Sequence, residues 1–167
     1  MKKLFALLVT ASMFGGLYGL SLGLGVAYDG LAGPDGMDAY PSIRADAMVN
    51  VLPMLGVRMG LAQVDIKDDL QGGTLMEFGT GVNVDLIINI PMAGTFNPYI
   101  PAGVWFFSNG GTTIVLKGGL GAQMGFGGVM GYLEGGINFT NYSPEVGEGT
   151  SMHPLYVQAG VRIPIQL

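Results

Sequence analysis

Charged residues of both signs recur in this chain inside otherwise apolar, alternating stretches: Arg44, Asp46, Arg58, Glu77, Asp85, Lys117, Glu134 and Arg162, four of each sign. With a period of two, such residues share one face of a sheet while their aliphatic neighbours share the other. The chemistry open to them is mutual pairing. An unpaired charge away from water is costly, so a balanced set on one buried face implies a network of ion pairs and hydrogen bonds. Arg58 is expected across the second hairpin from Asp46 and beside Asp85, with Glu134 in reach of Arg162. Asn50, Asn83, Gln123, Asn138, Gln158, Tyr132 and Tyr156 fall on the same face and can complete the network.

Two other groups invite a chemical reading. His153, the single histidine, stands with Ser151 and either Glu145 or Glu148. A histidine base beside a serine nucleophile would suit a lipid-facing hydrolase or acyltransferase. No further triad member lies at an identifiable spacing, and a histidine next to Pro154 reads equally as a solvated turn residue, so no enzyme and no cofactor are expected. The second group is acidic: Asp29, Asp35, Asp38, Asp65, Asp68, Asp69, Glu145 and Glu148 lie between the apolar stretches with Lys67 as their one basic companion. Carboxylates suit Ca2+ or Mg2+ bridging to anionic lipopolysaccharide, with Asp65, Asp68 and Asp69 as the candidate ligands. That segment lacks the glycine and terminal glutamate of a calcium loop, and a solvated acidic face accounts for the same residues. Nucleic acid is not an expected partner, since phosphate binding needs Lys and Arg.

The elements that must position these residues are strands. Eight alternating segments run over about 17–28, 42–52, 54–66, 74–90, 96–107, 113–124, 129–140 and 155–167. In the last, Leu155, Val157, Ala159, Val161, Ile163, Ile165 and Leu167 oppose Tyr156, Gln158, Gly160, Arg162, Pro164 and Gln166. A soluble barrel would turn the aliphatic face inward; a transmembrane barrel turns it to lipid and the polar face to the lumen. Parity places all eight strand charges opposite the aliphatic face. A charge facing lipid at the midplane costs about 2–4 kcal/mol for Arg or Lys, so the inside-out arrangement is expected. Met48, Tyr99, Trp105 and Phe107 point inward with them as candidate lumen lining. Connections alternate between short uncharged turns near Pro53, 91–95 and 125–128 and mostly longer, more polar loops near 29–41, 67–73, 108–112 and 141–154. Tyr18, Phe96 and Phe126 near one set of strand ends, and Tyr28, Phe106, Phe139 and Tyr142 near the other, match interfacial belts.

Composition agrees. The chain is 49% hydrophobic and 11% charged, yet after the N-terminus it has no apolar run fit for a membrane helix, and it holds 30 glycines and no cysteine. Helix-interior glycines cost about 1 kcal/mol each relative to alanine, whereas a narrow barrel uses them to make room inside. Lys2 and Lys3 before the apolar run Leu4 to Phe14 read as a signal peptide, residues 1–19 with approximate cleavage, leaving residues 20–167 as one barrel domain.

Phe96-Asn97-Pro98-Tyr99-Ile100-Pro101-Ala102-Gly103-Val104 resembles the Pro-Tyr-x-x-x-Gly signature of small outer-membrane barrels of the OmpA and OmpW kind, and Val157-Gln158-Ala159-Gly160-Val161-Arg162 looks like their closing strand. The resemblance covers the mature chain and implies insertion by the outer-membrane assembly machinery. Two departures are Leu167 where those chains end in an aromatic, and Pro164, expected to interrupt the last strand. No wall-binding domain is expected after the barrel. The chain thus reads as an all-β, eight-stranded, antiparallel up-and-down transmembrane β-barrel of a bacterial outer membrane, multi-pass, in contact with membrane lipid and lipopolysaccharide. Its expected role is structural or surface-directed, with a closed ion-paired lumen; the alternative is a narrow porin-like channel or transporter for small or hydrophobic molecules.

Overall fold

The computed structural model describes residues 19–33, 38–68, 73–79, 81–92, 94–108 and 111–165. The expected signal segment, Tyr18, Asp35, Asp69 and Leu167 lie outside them. The described chain is all strand and turn: β1 (Gly19–Leu31), β2 (Tyr40–Leu52), β3 (Leu55–Asp68), β4 (Thr74–Phe78), β5 (Val82–Asn89), β6 (Phe96–Ser108), β7 (Gly111–Phe126), β8 (Val129–Pro144), β9 (Thr150–Met152) and β10 (Leu155–Ile165). Strands consecutive in the chain pair antiparallel, apart from β4 with β5 and β9 with β10, and β1 pairs back onto β10, closing the sheet. β4 and β5 together form one stave of the wall, both pairing with β3, and β9 and β10 form another, both pairing with β8. The result is a closed eight-stave antiparallel barrel.

Burial along the strands is inverted relative to a soluble protein. Leu24, Val26 and Leu120 are 58%, 60% and 70% exposed, while Arg58, Asp85 and Arg162 are 3%, 0% and 0% exposed. Only a solvent that prefers aliphatic groups makes that arrangement stable, because each unpaired backbone group and each charge must then be satisfied inside the wall. Among the described residues no helix is long and apolar enough to cross a membrane.

Turn chemistry sets the two ends of the barrel. The β7–β8 hairpin closes through Gly127 and Gly128, both with positive φ (55° and 101°), which permits the two-residue turn that matches strand twist. The β2–β3 turn is equally tight, from Leu52 to Leu55. The strands run beyond these turns for up to 16 residues, more than the 9 to 11 needed to cross a bilayer. Most of the extra length lies at the opposite, long-loop end.

Three local readings are corrected by the ladder. β1 continues through Asp29 to Leu31, so Asp29 is a strand residue and not part of a loop. β10 runs through Pro164, which pairs with Ser21, so the proline does not end the strand. Between Ala45 and Asp46 the β2–β3 register slips by one, from Ala45↔Ala62 to Asp46↔Gly60, so Leu61 is an extra residue in β3. A bulge of this kind reverses the parity that follows it. Ala62 therefore moves to the outward set with Ala45, and Gln63 and Asp65 turn inward.

Candidate lumen site

The centre of the barrel is a knot of six side chains. Arg58 of β3 donates to Asp85 of β5 from Nε at 2.7 Å and again from Nη2, and it reaches Glu134 of β8 from Nη1 at 2.8 Å and Nη2 at 3.0 Å. Lys117 of β7 lies 2.8 Å from Glu134 and 3.6 Å from Asp85. The Glu134 carboxylate also accepts from Tyr99 at 3.0 Å and Tyr156 at 3.1 Å. β3 and β8 occupy the third and seventh staves of eight, on opposite sides of the wall. The Arg58–Glu134 contact therefore spans the lumen. An eight-stave barrel has an interior just wide enough for side chains to fill, and here a single charge-assisted bridge crosses it.

Two further pairs flank the knot. Arg44 pairs with Asp29 and donates to Gln158 at 3.2 Å, and Arg162 meets Asp46 at 3.4 Å. Three cations also stack on aromatic rings: Arg44 on Trp105 (4.5 Å), Lys117 on Tyr156 (4.4 Å) and Arg162 on Tyr132 (4.4 Å), which offsets part of their desolvation.

Glycine is what lets these pairs meet. The ladder places Gly23 between Asp46 and Arg162, Gly103 between Asp85 and Lys117, and Gly121 between Tyr99 and Glu134. In each row the polar groups on the flanking staves close over the bare backbone of the middle one. A Cβ on Gly23 would sit 2.7 Å from the Asp46 carboxylate oxygens; on Gly103 it would collide with Asp85, and on Gly121 with the Tyr99 ring.

The expected lumen residues are distributed as follows. Arg44, Asp46, Arg58, Asp85, Lys117, Glu134 and Arg162 are all buried within the barrel. Glu77 stands apart, near the long-loop end, paired with Lys67 at 2.6 Å in a half-exposed contact. The pairing differs from the expected one: in the hairpin register Asp46 lies opposite Gly60 and Arg58 opposite Met48, Asp46 goes to Arg162, and Glu134 goes to Arg58 and Lys117. Met48 and Tyr99 join Ile87 in an apolar cluster on the short-turn side of the bridge. Trp105 and Phe107 stand edge to face (5.8 Å, 72°) on the other side, beside a cavity of about 350 Å3. Asp29 was missed because the alternation of β1 was read as ending at Tyr28. One more step of the same parity, from Ala27 to Asp29, points to it.

The remaining candidates do not assemble. His153 packs on the Phe139 ring (5.1 Å), and the Ser151 hydroxyl bonds Asn141. Asp65 turns inward and accepts from Gln63 at 2.6 Å, while Asp68 lies exposed at the strand end. Among the described residues no group of three or more His, Asp or Glu is placed to hold a metal ion.

No protein family matches the chain, and no curated protein does. Among solved structures it is similar to the Neisserial surface protein A, with a TM-score of 0.64 and 16% identity over 89% of this chain and 98% of that one. It is also similar to a de novo designed transmembrane β-barrel, with a TM-score of 0.52 and 14% identity over 90% of this chain and 97% of the design. At these identities the likeness is one of fold, that of a membrane-spanning β-barrel. The resemblance to the OmpA and OmpW kind rests on the short motifs alone.

Proposed function

We propose that the chain is a non-enzymatic bacterial outer-membrane protein whose barrel is closed and whose work is done at its surface, with the short turns in the periplasm and the acidic loops outside. The Arg58–Glu134 bridge carries this reading, since it joins opposite walls and is backed on the short-turn side by Met48, Ile87 and Tyr99. Signal-directed export, insertion by the outer-membrane assembly machinery and contact with lipopolysaccharide belong to the same reading. Asp38, Asp68, Glu145 and Glu148 make the outer loops unfavourable for anions, and divalent cations between these loops and lipopolysaccharide would relieve the repulsion.

The test is single-channel recording of the refolded protein in a planar lipid bilayer. The wild type is expected to stay silent while heat-modifiable gel mobility certifies a folded barrel. Discrete openings in the wild type would sink the closed reading and favour the alternative, a narrow channel for small or hydrophobic solutes, which the cavity on the long-loop side of the bridge supports. Removing the bridge with Arg58→Ala plus Glu134→Ala is expected to produce openings that the wild type lacks.

A further inference from the structure

The inward charges do not quite cancel. Apart from Lys2 and Lys3 of the expected signal segment, the basic residues of the chain are Arg44, Arg58, Lys67, Lys117 and Arg162. Each is matched to its own carboxylate: Arg44 to Asp29, Arg58 to Asp85, Lys67 to Glu77, Lys117 to Glu134 and Arg162 to Asp46. Asp65 is the inward acid left over. It is 8% exposed, and among the described residues its carboxylate is met by the Gln63 amide at 2.6 Å and by no cation. A hydrogen bond from a neutral amide leaves the charge uncompensated, which is costly away from water. Lys67, two residues on along the same face, is taken by Glu77 and lies over the Tyr40 ring at 4.9 Å. Asp65 stands at the wall of the cavity above the Arg58–Glu134 bridge. The ladder turns inward the groups that share this cavity with it: Trp105 opposite Asn83, Phe107 opposite Thr113, and Tyr40 opposite Asp29. The rim carries the Lys67–Glu77 pair, whose side chains are 36% and 49% exposed, so the cavity meets water at the long-loop end.

We infer that this cavity binds a small organic monocation, a primary ammonium carrying an apolar group, with its charge on Asp65 and its apolar part against Trp105 and Phe107. One positive charge is what the interior lacks. Ca2+ or Mg2+ would overshoot it and needs several oxygen ligands, whereas among the described residues no three of His, Asp or Glu are gathered to supply them. A primary ammonium brings three donors and no acceptor, which suits a carboxylate with the Thr113 and Tyr40 hydroxyls on the same lining. Trp105 and Phe107 meet edge to face and present an apolar wall that a bare metal ion or a proton would leave unused. A volume of about 350 Å3 lies at the small end of ligand sites and suits one ring with its ammonium. Arg58 and Lys117 at the floor repel a cation, so the ligand is held and not passed to the other side. The site lies above the bridge and stands whether the barrel conducts or stays silent.

The chain's single tryptophan is Trp105, so its emission reports on the cavity directly. The experiment titrates benzylamine, benzyl alcohol and methylamine separately into the full barrel refolded in phosphatidylcholine vesicles, at neutral pH in about 0.15 M sodium chloride, which screens the charges of the outer loops. Benzylamine is expected to give a saturable change in Trp105 emission at a concentration at least about tenfold lower than methylamine, since burying an aromatic ring supplies that factor. Benzyl alcohol, of the same shape without the charge, is expected to give no change that saturates. Asp65→Asn should abolish the benzylamine response in a barrel shown folded by gel mobility. Its urea midpoint should be no lower than that of the wild type, because the change removes a charge that no other residue offsets. Thr113→Leu, which fills space from β7 and leaves Asp65 in place, should abolish the response too. Glu145→Gln, at an exposed position in an outer loop, should leave it unchanged. Equal potency of benzyl alcohol would overturn the assignment of a cation, and equal potency of methylamine would overturn the apolar seat. A lower urea midpoint in Asp65→Asn would mean that the protein already compensates this carboxylate, and would overturn the premise. Loss of the response in Glu145→Gln would reduce it to diffuse attraction by the acidic loops and overturn the site. No saturable response, or an unaltered one in folded Asp65→Asn or Thr113→Leu, would overturn the inference as a whole.

Discussion

At the scale of residues, the interior depends on charges that reach across a neighbouring stave, which only a bare backbone permits. Gly103→Ala and Gly121→Ala are expected to destabilise the barrel by about 1–3 kcal/mol each, because the added methyl must displace Asp85 or Tyr99 from a filled interior. Gly118→Ala, whose Cβ would meet nothing within 4 Å, should stay within about 0.5 kcal/mol of wild type. Urea unfolding of vesicle-inserted protein separates the two outcomes. Glu134 is the most heavily used acceptor, taking Arg58, Lys117, Tyr99 and Tyr156. Removing one partner of a buried pair leaves an uncompensated charge, so Glu134→Gln is expected to cost about 3–5 kcal/mol in the same assay. The Arg58→Ala and Glu134→Ala pair should fall short of additivity by about 0.5–3 kcal/mol, since either change alone already breaks the shared contact.

At the scale of elements, a strand of this wall is defined by the identity of its two faces. Leu120, 70% exposed midway along β7, is expected to lose about 2–4 kcal/mol on Leu120→Arg, measured by urea titration at neutral pH. The strands, their number and the inward direction of Arg44, Arg58, Lys117 and Arg162 were all legible in the sequence, because period-two alternation reports the face of a residue without reference to its partners. The partners were not legible. Which charge meets which depends on the stagger between staves: across the second hairpin Arg58 faces Met48 and Asp46 faces Gly60, so Asp46 finds Arg162 instead. The rows through Gly23, Gly103 and Gly121 were hidden for the same reason: an inward glycine is visible as a small residue, but the groups closing over it come from other strands. The C-terminal end of β1 was misjudged because an acid after a tyrosine has the local look of a loop, while continued parity makes Asp29 the partner of Arg44.

At the scale of the whole molecule, the charges that close the lumen are sealed from the surrounding water. Asp29, Arg44, Asp46, Arg58, Asp85, Lys117, Glu134 and Arg162 are each less than one-tenth exposed. Salt screens exposed charges over about 8–10 Å but reaches buried pairs poorly. The urea midpoint of the refolded barrel is therefore expected to change little between low and high sodium chloride, whereas Lys67→Ala, at the half-exposed Lys67–Glu77 contact, should alter it by less than about 1 kcal/mol. A strong salt dependence would mean that water enters the knot.

The ladder between β1 and β10 also bears on how the molecule comes to exist. Asp46 and Arg162 are 116 residues apart in the chain, and Arg44 and Gln158 are 114 apart. Neither contact can form until the first and last staves have met. A slip of this seam by two residues would keep every aliphatic side chain toward lipid, so apolar matching alone would accept it. It would carry Arg162 from Gly23 to Ser21 or Gly25 and away from Asp46, leaving a guanidinium stranded in a dry interior. The buried pairs thus act as a proofreading device for closure, rejecting wrong registers that the membrane itself cannot distinguish.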